Sequence, residues 1–285
     1  MRRLTDSVAL VTGASRGAGC AIAIELGTAG ATVYVTGRSV RGGPTTDKVP
    51  GTVDDTAQAV SERGGRGIAV RCDHTVDADV EALFERIRSD HGRLDVLVNN
   101  VWGGYEHPDC RPLPMVPFWE QPLEQWGRMF DAGVRAHLTA SRLAVPLMLA
   151  QRRGLIVSTT ANLEPLGYLP NVFYDLSKHA VHRLVWAIAH ELREHQIASL
   201  AVAPGFMRTE RIVEAFRRAG AEAALDGPGG PKETPVYLAR AVVALAADDR
   251  VLEKSGQILE VGALARQYGF TDADGSQPAP FRLQS

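Results

Sequence analysis

Tyr174 and Lys178 are the two residues whose types and spacing point most directly to chemistry. Within a helical pattern, residues four apart lie on one face, about one turn from each other. A phenol with a pKa near ~10 is a poor acid or base at neutral pH. An ammonium group at ~4 Å, with an effective dielectric of ~20, favours the phenolate by about 4 kcal/mol, or roughly three pKa units. The pair could therefore move protons, although a packed Tyr beside a solvated Lys is the alternative for so common a spacing.

A glycine-rich loop near the start of the chain is the first element that could position such a pair. Residues 8–12 form an apolar run typical of a strand and lead through Gly-Ala-Ser-Arg-Gly-Ala-Gly at 13–19 into a helical pattern. Gly13 would allow the tight turn, Gly17 the approach of backbone to a pyrophosphate, and Gly19 close packing of the helix on the sheet. The helix N-terminus would face the anion with N–H groups and the positive end of its dipole. The loop therefore predicts a phosphate cradle.

Strand-like and helix-like segments alternate from residue 8 to about residue 262. Predicted strands lie near residues 8–12, 32–36, 67–72, 95–99, 154–159, 197–203 and 257–261. Helical patterns cover residues 54–63, 77–90, 123–150, 174–195, 208–219 and 234–247. Such alternation requires right-handed crossovers, so we predict an α/β fold: a doubly wound parallel sheet of about seven strands with helices on both faces. Residues 1–265 form one domain in this prediction, and residues 266–285 form a poorly ordered C-terminal tail or an arm over a neighbour.

The composition argues against several classes of function. A net charge of −2 without a basic block argues against nucleic acid as the main partner. No apolar run approaches the ~18 residues of a membrane helix and no signal-peptide core is visible, so we expect a soluble, cytoplasmic protein with no membrane partner. Cys20, Cys72 and Cys110 form no Cys-x-x-Cys motif, and His190 and His195 are five residues apart. Neither a disulfide framework nor a metal site is predicted.

Five motifs occur in the order and spacing of one known family. They are Thr-Gly-Ala-Ser-Arg-Gly-Ala-Gly at 12–19, Cys-Asp at 72–73, Asn-Asn at 99–100, Tyr-Asp-Leu-Ser-Lys at 174–178 and Pro-Gly-Phe-Met-Arg-Thr at 204–209. In these motifs the chain resembles the short-chain dehydrogenase/reductase superfamily over nearly its whole length. The resemblance implies a Rossmann-type fold that binds NAD or NADP. It also implies that Tyr174 donates or accepts the proton at the substrate oxygen, while Lys178 holds the nicotinamide ribose and lowers the pKa of Tyr174.

The same resemblance implies further contacts along the cofactor. Asp73 would contact the adenine, Asn99 would support the cofactor, and Thr209 would touch its nicotinamide end. From the residues alone, a strand-end cap at Asp73 and a turn at Asn99 are the alternatives. The predicted cofactor-binding residues are Gly13, Ser15, Arg16, Gly17, Gly19, Arg38, Asp73, Asn99, Tyr174, Lys178, Pro204, Gly205 and Thr209.

The choice between the two cofactors can be argued from charge. A ribose 2′-hydroxyl favours an acidic acceptor at the end of the second strand, whereas a 2′-phosphate favours a guanidinium group. Here the second strand ends in Thr-Gly-Arg-Ser at 36–39, and Arg16 lies inside the glycine loop. We therefore predict NADP, with NAD less favoured, and Arg38 and Arg16 near the 2′-phosphate. The alternative is that both arginines are solvated turn residues.

The chain departs from the family pattern after the fifth predicted strand, where the family has a Ser that hydrogen-bonds the substrate oxygen. The sequence there reads Ile-Val-Ser-Thr-Thr-Ala-Asn at 156–162. Thr160 is the predicted substitute, since a Thr hydroxyl has the same donor and acceptor capacity as Ser. Ser158 or Thr159 would take this role if the loop register differs. The predicted catalytic residues are thus Tyr174, Lys178 and Thr160.

A second departure concerns the helix after the fourth strand, where the family has an Asn that anchors a water relay. This chain has Gly133 there, and no Asn occurs between Asn100 and Asn162. Protons would then reach Tyr174 from bulk water, from Lys178 directly or from another group. Three interpretations follow: an NADP(H)-dependent oxidoreductase acting on a carbonyl or secondary alcohol, an NAD(P)-dependent epimerase or dehydratase, and a catalytically impaired dinucleotide-binding sensor or scaffold.

The substrate and the assembly are less constrained by the sequence. The aromatic, Pro-rich residues 101–119, with Tyr168 and Phe206, could wall an apolar pocket, or could anchor the loop or a subunit contact. Residues 205–232 contain a Gly- and Pro-rich stretch consistent with a substrate lid. The resemblance and the apolar face of residues 174–195 predict a homo-oligomer, a dimer or a tetramer.

Overall fold

Seven parallel strands form the centre of the computed structural model, which describes residues 4–104, 106, 116–161 and 167–281. The strands are β1 (Val8–Val11), β2 (Thr32–Gly37), β3 (Arg66–Arg71), β4 (Val96–Asn99), β5 (Gly154–Thr159), β6 (Ile197–Ala203) and β7 (Ile258–Glu260). Their order across the sheet is β3-β2-β1-β4-β5-β6-β7. The predicted doubly wound α/β fold is confirmed, because apolar runs flanked by helices pair most readily in parallel.

Helices cover both faces of this sheet. They are α1 (Gly17–Thr28), α2 (Val53–Glu62), α3 (Asp77–His91), α4 (Gln125–Phe130), α5 (Ala136–Gln151), α6 (Val172–Leu192), α7 (Glu210–Arg218), α8 (Pro235–Ala246) and α9 (Val261–Tyr268). Residues 123–150, predicted as one helix, contain a π-helical turn at Asp131–Arg135 between α4 and α5. One extra residue in such a turn re-aims the side chains that follow it.

Alternation along the strands divides the core into two layers. On β1, Ala9 and Val11 pack in the cluster that includes α1 and α8, whereas Val8 and Leu10 pack in the cluster that includes α3 and α5. Successive strand side chains point to opposite faces, so a strand buried on both sides must be apolar at every position. The short run at 8–11 meets that requirement, and both faces are closed to water.

The C-terminal region lies against its own chain. The Tyr237 hydroxyl donates to the carbonyl of Pro278 at 3.0 Å, and Arg240 donates to the carbonyl of Thr271 at 2.7 Å. The Thr234 backbone N–H donates to Asp272 at 2.7 Å. The structure therefore differs from the expected loose tail: α9 passes residue 265, and the following segment packs on α8. The domain boundary at 265 stays a prediction.

The topology leaves a crevice where the connections leaving β1 and β4 run in opposite directions across the sheet. These strands are neighbours, with Ala9 paired to Val96 and Val11 to Val98. In open α/β sheets, ligands bind at the carboxyl ends of the strands at this point. Among the described helices, none is both long and apolar enough to span a membrane.

Candidate active site

A cavity of about 1100 Å³ opens at the carboxyl ends of the strands. It brings together most of the residues predicted from the sequence: Gly13, Ser15, Arg16, Gly17, Arg38, Asp73, Thr160, Tyr174, Lys178, Pro204, Gly205 and Thr209. Gly19 and Asn99 are not part of its lining. The glycine loop and the Tyr/Lys pair, which are far apart in sequence, thus share one cavity.

Helix α6 presents Tyr174 and Lys178 at this cavity. Its N-cap is Asn171, whose side-chain oxygen accepts from the backbone N–H of Tyr174 at 2.9 Å. The Asn171 amide also donates to Gln125 on α4 at 2.8 Å. A cap bonded on both sides fixes the first turn of the helix. The tyrosine and the lysine one turn later are therefore held on a rigid element, with only 7% and 8% of their surfaces exposed.

The ammonium of Lys178 lies against aromatic faces. Its Nζ is 3.6 Å from the centroid of the Trp102 ring and 5.4 Å from that of the Tyr174 ring. Burial lowers the pKa of Lys178 from 10.5 to about 7. A desolvated cation over an indole face gains about 2 kcal/mol, which offsets part of the cost of burial. Lys178 can therefore exchange between charged and neutral forms near neutral pH.

Trp102 fills the space next to Gly133. A Cβ atom built on Gly133 would lie 2.5 Å from two carbons of the Trp102 ring. The same indole meets Tyr174 edge to face, with ring centroids 5.8 Å apart. The position at which the family resemblance implied an Asn side chain is therefore occupied by the indole, and a larger residue at 133 requires it to move.

The three hydroxyl candidates after β5 differ in position. Thr159 and Thr160 line the cavity, whereas Ser158 is buried and does not. The Thr160 hydroxyl lies 3.0 Å from Nε2 of His182, and the carbonyl of Ala161 lies 3.1 Å from the same nitrogen. Because a carbonyl only accepts, this geometry favours a proton on Nε2. Thr160 then accepts from His182 and keeps its own proton for donation.

The glycine loop has the geometry of an anion cradle. Gly13 and Gly17 adopt positive φ angles of 65° and 57°. A Cβ on Gly19 would lie 2.4 Å from the carbonyl oxygen of Gly13, so glycine is required for this close packing. Asn100 stabilises the loop, since its amide donates to the carbonyls of Thr12 and Gly13 at 3.0 and 3.1 Å.

A carboxylate from the C-terminal half already occupies this cradle. The backbone N–H of Gly17, at the start of α1, donates to Oε2 of Glu210 at 3.0 Å. Glu210 begins α7, within the segment predicted as a lid, and both it and Thr209 line the cavity. An anionic group at a helix N-terminus is the interaction a pyrophosphate would make. The residues present therefore fit a dinucleotide at this loop.

Arg38 stands at the end of β2, as predicted. Its guanidinium lies 2.5 Å from the carboxylate of Glu106 and 4.0 Å from that of Asp73. Arg16 instead donates to Ser39 at 2.9 Å and to the carbonyls of Pro50 and Gly51, at 3.0 Å each. Arg38 is thus an anion-binding group at the rim of the cavity, and Arg16 braces the neighbouring loop.

Two other predicted positions have local roles as well. Oδ1 of Asp73 accepts from the backbone and the hydroxyl of Thr75, so the capping alternative is present at a residue that also lines the cavity. The Asn99 amide donates to Ser141 on α5 at 2.9 Å and lies inside the fold. Any support that Asn99 gives to a ligand is indirect.

Glu233 is a cavity residue that the sequence reasoning missed. It is 3% exposed, and its Oε2 accepts from the N–H of Gly205 at 2.9 Å. Burial raises the pKa of Glu233 to about 7, against the opposing effect of that hydrogen bond. His182 and Glu210 were missed as well, and Trp102, which was expected only as part of an apolar wall, was not expected beside Lys178. Each meets its partner only through tertiary contacts, and no short motif signals them.

The apolar wall of the cavity differs in part from the expectation. Trp102 and Phe206 line the cavity, as does Phe281 from the C-terminal segment. Trp119 and Tyr168 are exposed and lie outside the lining. Residues 105 and 107–115 of the predicted aromatic segment lie outside the described residues, as does Cys110.

The described cysteines, Cys20 and Cys72, are free. No cluster of three or more potential metal ligands occurs among residues 4–104, 106, 116–161 and 167–281.

Comparison with known proteins shows the family. A model of the short chain dehydrogenase family matches residues 7–219. The chain is 36% identical over 281 residues to dehydrogenase/reductase SDR family member 1 of Homo sapiens, covering 95% of this chain and 85% of that protein. It is 30% identical over 210 residues to the 7alpha-hydroxysteroid dehydrogenase of Escherichia coli K12, covering 74% of each. The chain belongs to the short-chain dehydrogenase/reductase family.

Solved structures agree in fold. A putative dehydrogenase from Xanthomonas campestris superposes with a TM-score of 0.79 at 23% identity, covering 100% of this chain and 99% of that one. A hydroxysteroid dehydrogenase from Escherichia coli gives a TM-score of 0.70 at 28% identity, covering 91% of this chain and 96% of that one. The protein is accordingly an oxidoreductase of this family, which uses a nicotinamide dinucleotide and acts on small molecules.

Proposed function

We propose that the protein is an NADP(H)-dependent oxidoreductase that interconverts a carbonyl compound and a secondary alcohol. The observation that carries the proposal is the convergence of the Tyr174/Lys178 pair and the glycine loop in one cavity. A dinucleotide held at residues 13–19 can extend along the cavity toward the buried hydroxyl of Tyr174. The proposed location is the cytoplasm, where the NADP pool is commonly held reduced as NADPH. Carbonyl reduction is therefore the proposed direction of the reaction.

In this mechanism Tyr174 transfers the proton. A nicotinamide dinucleotide held at the glycine loop would supply the hydride for the carbonyl carbon. The Tyr174 hydroxyl would give its proton to the carbonyl oxygen, so that an alcohol forms. The charged form of Lys178 stabilises the tyrosinate that remains, as a cation at this range lowers a phenol pKa. Lys178 also supplies donors for the ribose hydroxyls. Reprotonation of Tyr174 completes the cycle.

Thr160 is the proposed orienting group for the substrate oxygen. With Nε2–H of His182 donating to Thr160, the hydroxyl proton of Thr160 is available to the cavity. A Thr160→Val variant keeps the shape and removes the donor, and should lose about tenfold to a hundredfold in kcat/KM. Thr160→Ser should retain most activity. Equal kcat/KM in Thr160→Val and the wild type would exclude Thr160 as the group that orients the substrate oxygen.

The preference for NADP rests on Arg38. A guanidinium that already binds the carboxylate of Glu106 can bind a 2′-phosphate in its place. Arg38→Ala should therefore weaken NADPH binding at least about tenfold and NADH binding little, as one charge-assisted contact is lost. Glu106→Gln removes the competing carboxylate and should strengthen NADPH binding. Equal losses for both cofactors in Arg38→Ala, measured by titration of cofactor fluorescence, would contradict the assignment.

Turnover separates this function from the sensor interpretation. Purified protein is mixed with NADPH and a panel of aliphatic, aromatic and cyclic carbonyl compounds, and absorbance loss is followed beside a Tyr174→Phe control. We expect turnover of at least one apolar carbonyl compound by the wild type and a loss of at least about a hundredfold in the control, the range for a general acid. Cofactor binding without turnover of any compound would favour the sensor.

The proposed assembly is a homo-oligomer. Leu176 and Trp186 on α6 are each nearly half exposed, as is Leu138 on α5. Exposed apolar side chains mark a protein interaction site where they form one patch, and we propose that these three belong to such a patch. Light scattering at micromolar concentration should give a dimer or a tetramer, and a monomer mass would exclude the proposal.

A further inference from the structure

The indole of Trp102 contacts three elements of the active site at once. One face carries the Lys178 ammonium at 3.6 Å, and its ring meets the Tyr174 ring edge to face at 5.8 Å. On the side toward the π-helical turn, its carbons lie where a Cβ of residue 133 would be. The indole is therefore enclosed between the Tyr/Lys helix α6 and the turn that precedes α5.

Lys178 depends on this indole because little else stabilises its charge. No ion pair joins Lys178 to a carboxylate in the described part of the chain. Its ammonium group instead lies against the two aromatic rings. Its burial is nearly complete. The negative face of an aromatic ring attracts a cation most strongly where water is excluded. The ring on which the ammonium rests therefore positions it and offsets part of the cost of burying its charge.

We propose that Trp102 is a positioning residue for Lys178 and that Gly133 is its steric counterpart. The inference rests on the proposed oxidoreductase function. In this chain the ammonium is held by an aromatic face, in the space where the family resemblance implied the side chain of a relay Asn. Trp102 acts on the reaction through Lys178, which in turn sets the acidity of Tyr174. Gly133 is required because any side chain there would displace the indole.

The kinetic test compares two substitutions of Trp102. Trp102→Phe keeps an aromatic face, whereas Trp102→Leu keeps an apolar side chain without one. We expect kcat to fall on the order of tenfold in Trp102→Leu, because a desolvated cation–π contact is lost, and to be largely retained in Trp102→Phe. Trp119→Leu, at an exposed site outside the cavity, is the matched control and should leave kcat unchanged.

A second arm needs no turnover. Thermal unfolding is measured for the wild type, Trp102→Leu, Lys178→Met and the double variant. If the indole holds the charge, Trp102→Leu lowers Tm by about 2–4 °C more with Lys178 present than with Met at 178. Additive effects would show that Trp102 only fills space, and would overturn the proposal.

The role of Gly133 is tested by the effect of Gly133→Ala on Tm, which should change sign when the indole of Trp102 is removed. Ala favours a helix over Gly, so Gly133→Ala should raise Tm at an open site. We expect it to lower Tm in the wild type and to raise it in Trp102→Ala. The control is Gly127→Ala on α4, where the nearest atom to an added Cβ is a carboxylate oxygen of Asp131 at 3.3 Å. The same sign in both backgrounds would contradict the pairing of Gly133 with Trp102.

The outcomes separate this inference from the proposed function. Equal kcat in Trp102→Leu and Trp102→Phe, in an active enzyme, would overturn the positioning role and leave the oxidoreductase function standing. If the wild type itself shows no turnover, the proposed function fails. The contact between Trp102 and Lys178 is then tested by the four unfolding temperatures alone.

Discussion

Burial determines the chemistry available to Lys178. Its pKa falls from 10.5 to about 7 because the ammonium is removed from water. Between these values the unfolded chain binds a proton that the folded chain does not, so this group makes stability increase with pH. Below pH 7 the lysine is charged in both states, and the cost of burying the charge is present in full. Above about 10.5 it is neutral in both, and the cost is absent.

A Lys178→Met variant tests this account of the lysine. It should be more stable than the wild type at pH 6 to 7, and its advantage should shrink by up to about 1.4 kcal/mol for each pH unit as the pH rises toward 10. Urea unfolding of both proteins across this range measures the difference. A difference independent of pH would show that Lys178 stays charged in the fold.

Single residues were predictable where a motif carries them. Tyr174, Lys178 and the loop glycines have fixed spacings, and all of them except Gly19 line the cavity. The contact of Trp102 with Lys178 and the place of Glu233 were not predictable, since a partly buried indole and a buried acid acquire their roles from neighbours distant in sequence. Asn99 shows a related limit: the sequence places it at the end of β4, but only packing decides that its amide faces Ser141.

At the scale of elements, the N-terminus of α6 controls the position of Tyr174, the proposed acid. Asn171 is fully buried, and both ends of its amide are hydrogen-bonded. Asn171→Ala should cost about 1–3 kcal/mol of stability, since it removes the cap and leaves Gln125 without a partner in a buried site. It should also lower kcat, because Tyr174 lies in the loosened turn.

Asn171→Asp is the control for this cap. A carboxylate still accepts from the backbone N–H of Tyr174, so Asp should retain more of both stability and kcat than Ala. Unfolding curves and initial rates of the two variants test the role. Equal losses in Ala and Asp would show that the bond to Gln125, and not the cap, positions the tyrosine.

Helix α7 contributes a competitor for the phosphate cradle. Because the N–H of Gly17 already donates to Glu210, a bound pyrophosphate must displace that carboxylate. Glu210→Ala should therefore strengthen cofactor binding several-fold, while Glu214→Ala, which removes a carboxylate that pairs with Arg217 and Arg218, should not. Titration with the dinucleotide measures both. Weaker binding in Glu210→Ala would show that the carboxylate assists the ligand.

Strands and helices were predictable where the pattern of apolar residues within the segment itself identifies them. All seven predicted strands occur. The central strands follow apolar runs because they are buried on both faces, whereas the edge strands β3 and β7 are only partly buried. Gly133 tolerates unusual helix geometry, but the sequence does not specify the π-helical turn that divides residues 123–150; in the fold, the Trp102 ring lies beside this glycine. Helix α9 was missed because it follows β7 without a turn signal.

At the scale of the whole molecule, the sheet and its helices were predictable, whereas the apolar wall of the cavity was predictable only in part. The family motifs lie at the ends of the strands and at the starts of the helices, and these elements determine where the cavity forms. Its apolar wall comes from segments distant in sequence, among them Phe206 after β6 and Phe281 near the C-terminus. In the proposed function this wall contacts the substrate, and Phe281 reaches it only through packing of the C-terminal segment, which the sequence did not predict.

A crystal structure with NADP⁺ bound tests the central claim most directly. The account predicts the pyrophosphate at the N-terminus of α1, the nicotinamide ring beside the Tyr174 hydroxyl, and the ribose hydroxyls on Nζ of Lys178, which still rests on Trp102. A bound cofactor whose nicotinamide ring is separated from Tyr174 by protein, or whose ribose makes no contact with Lys178, would contradict it.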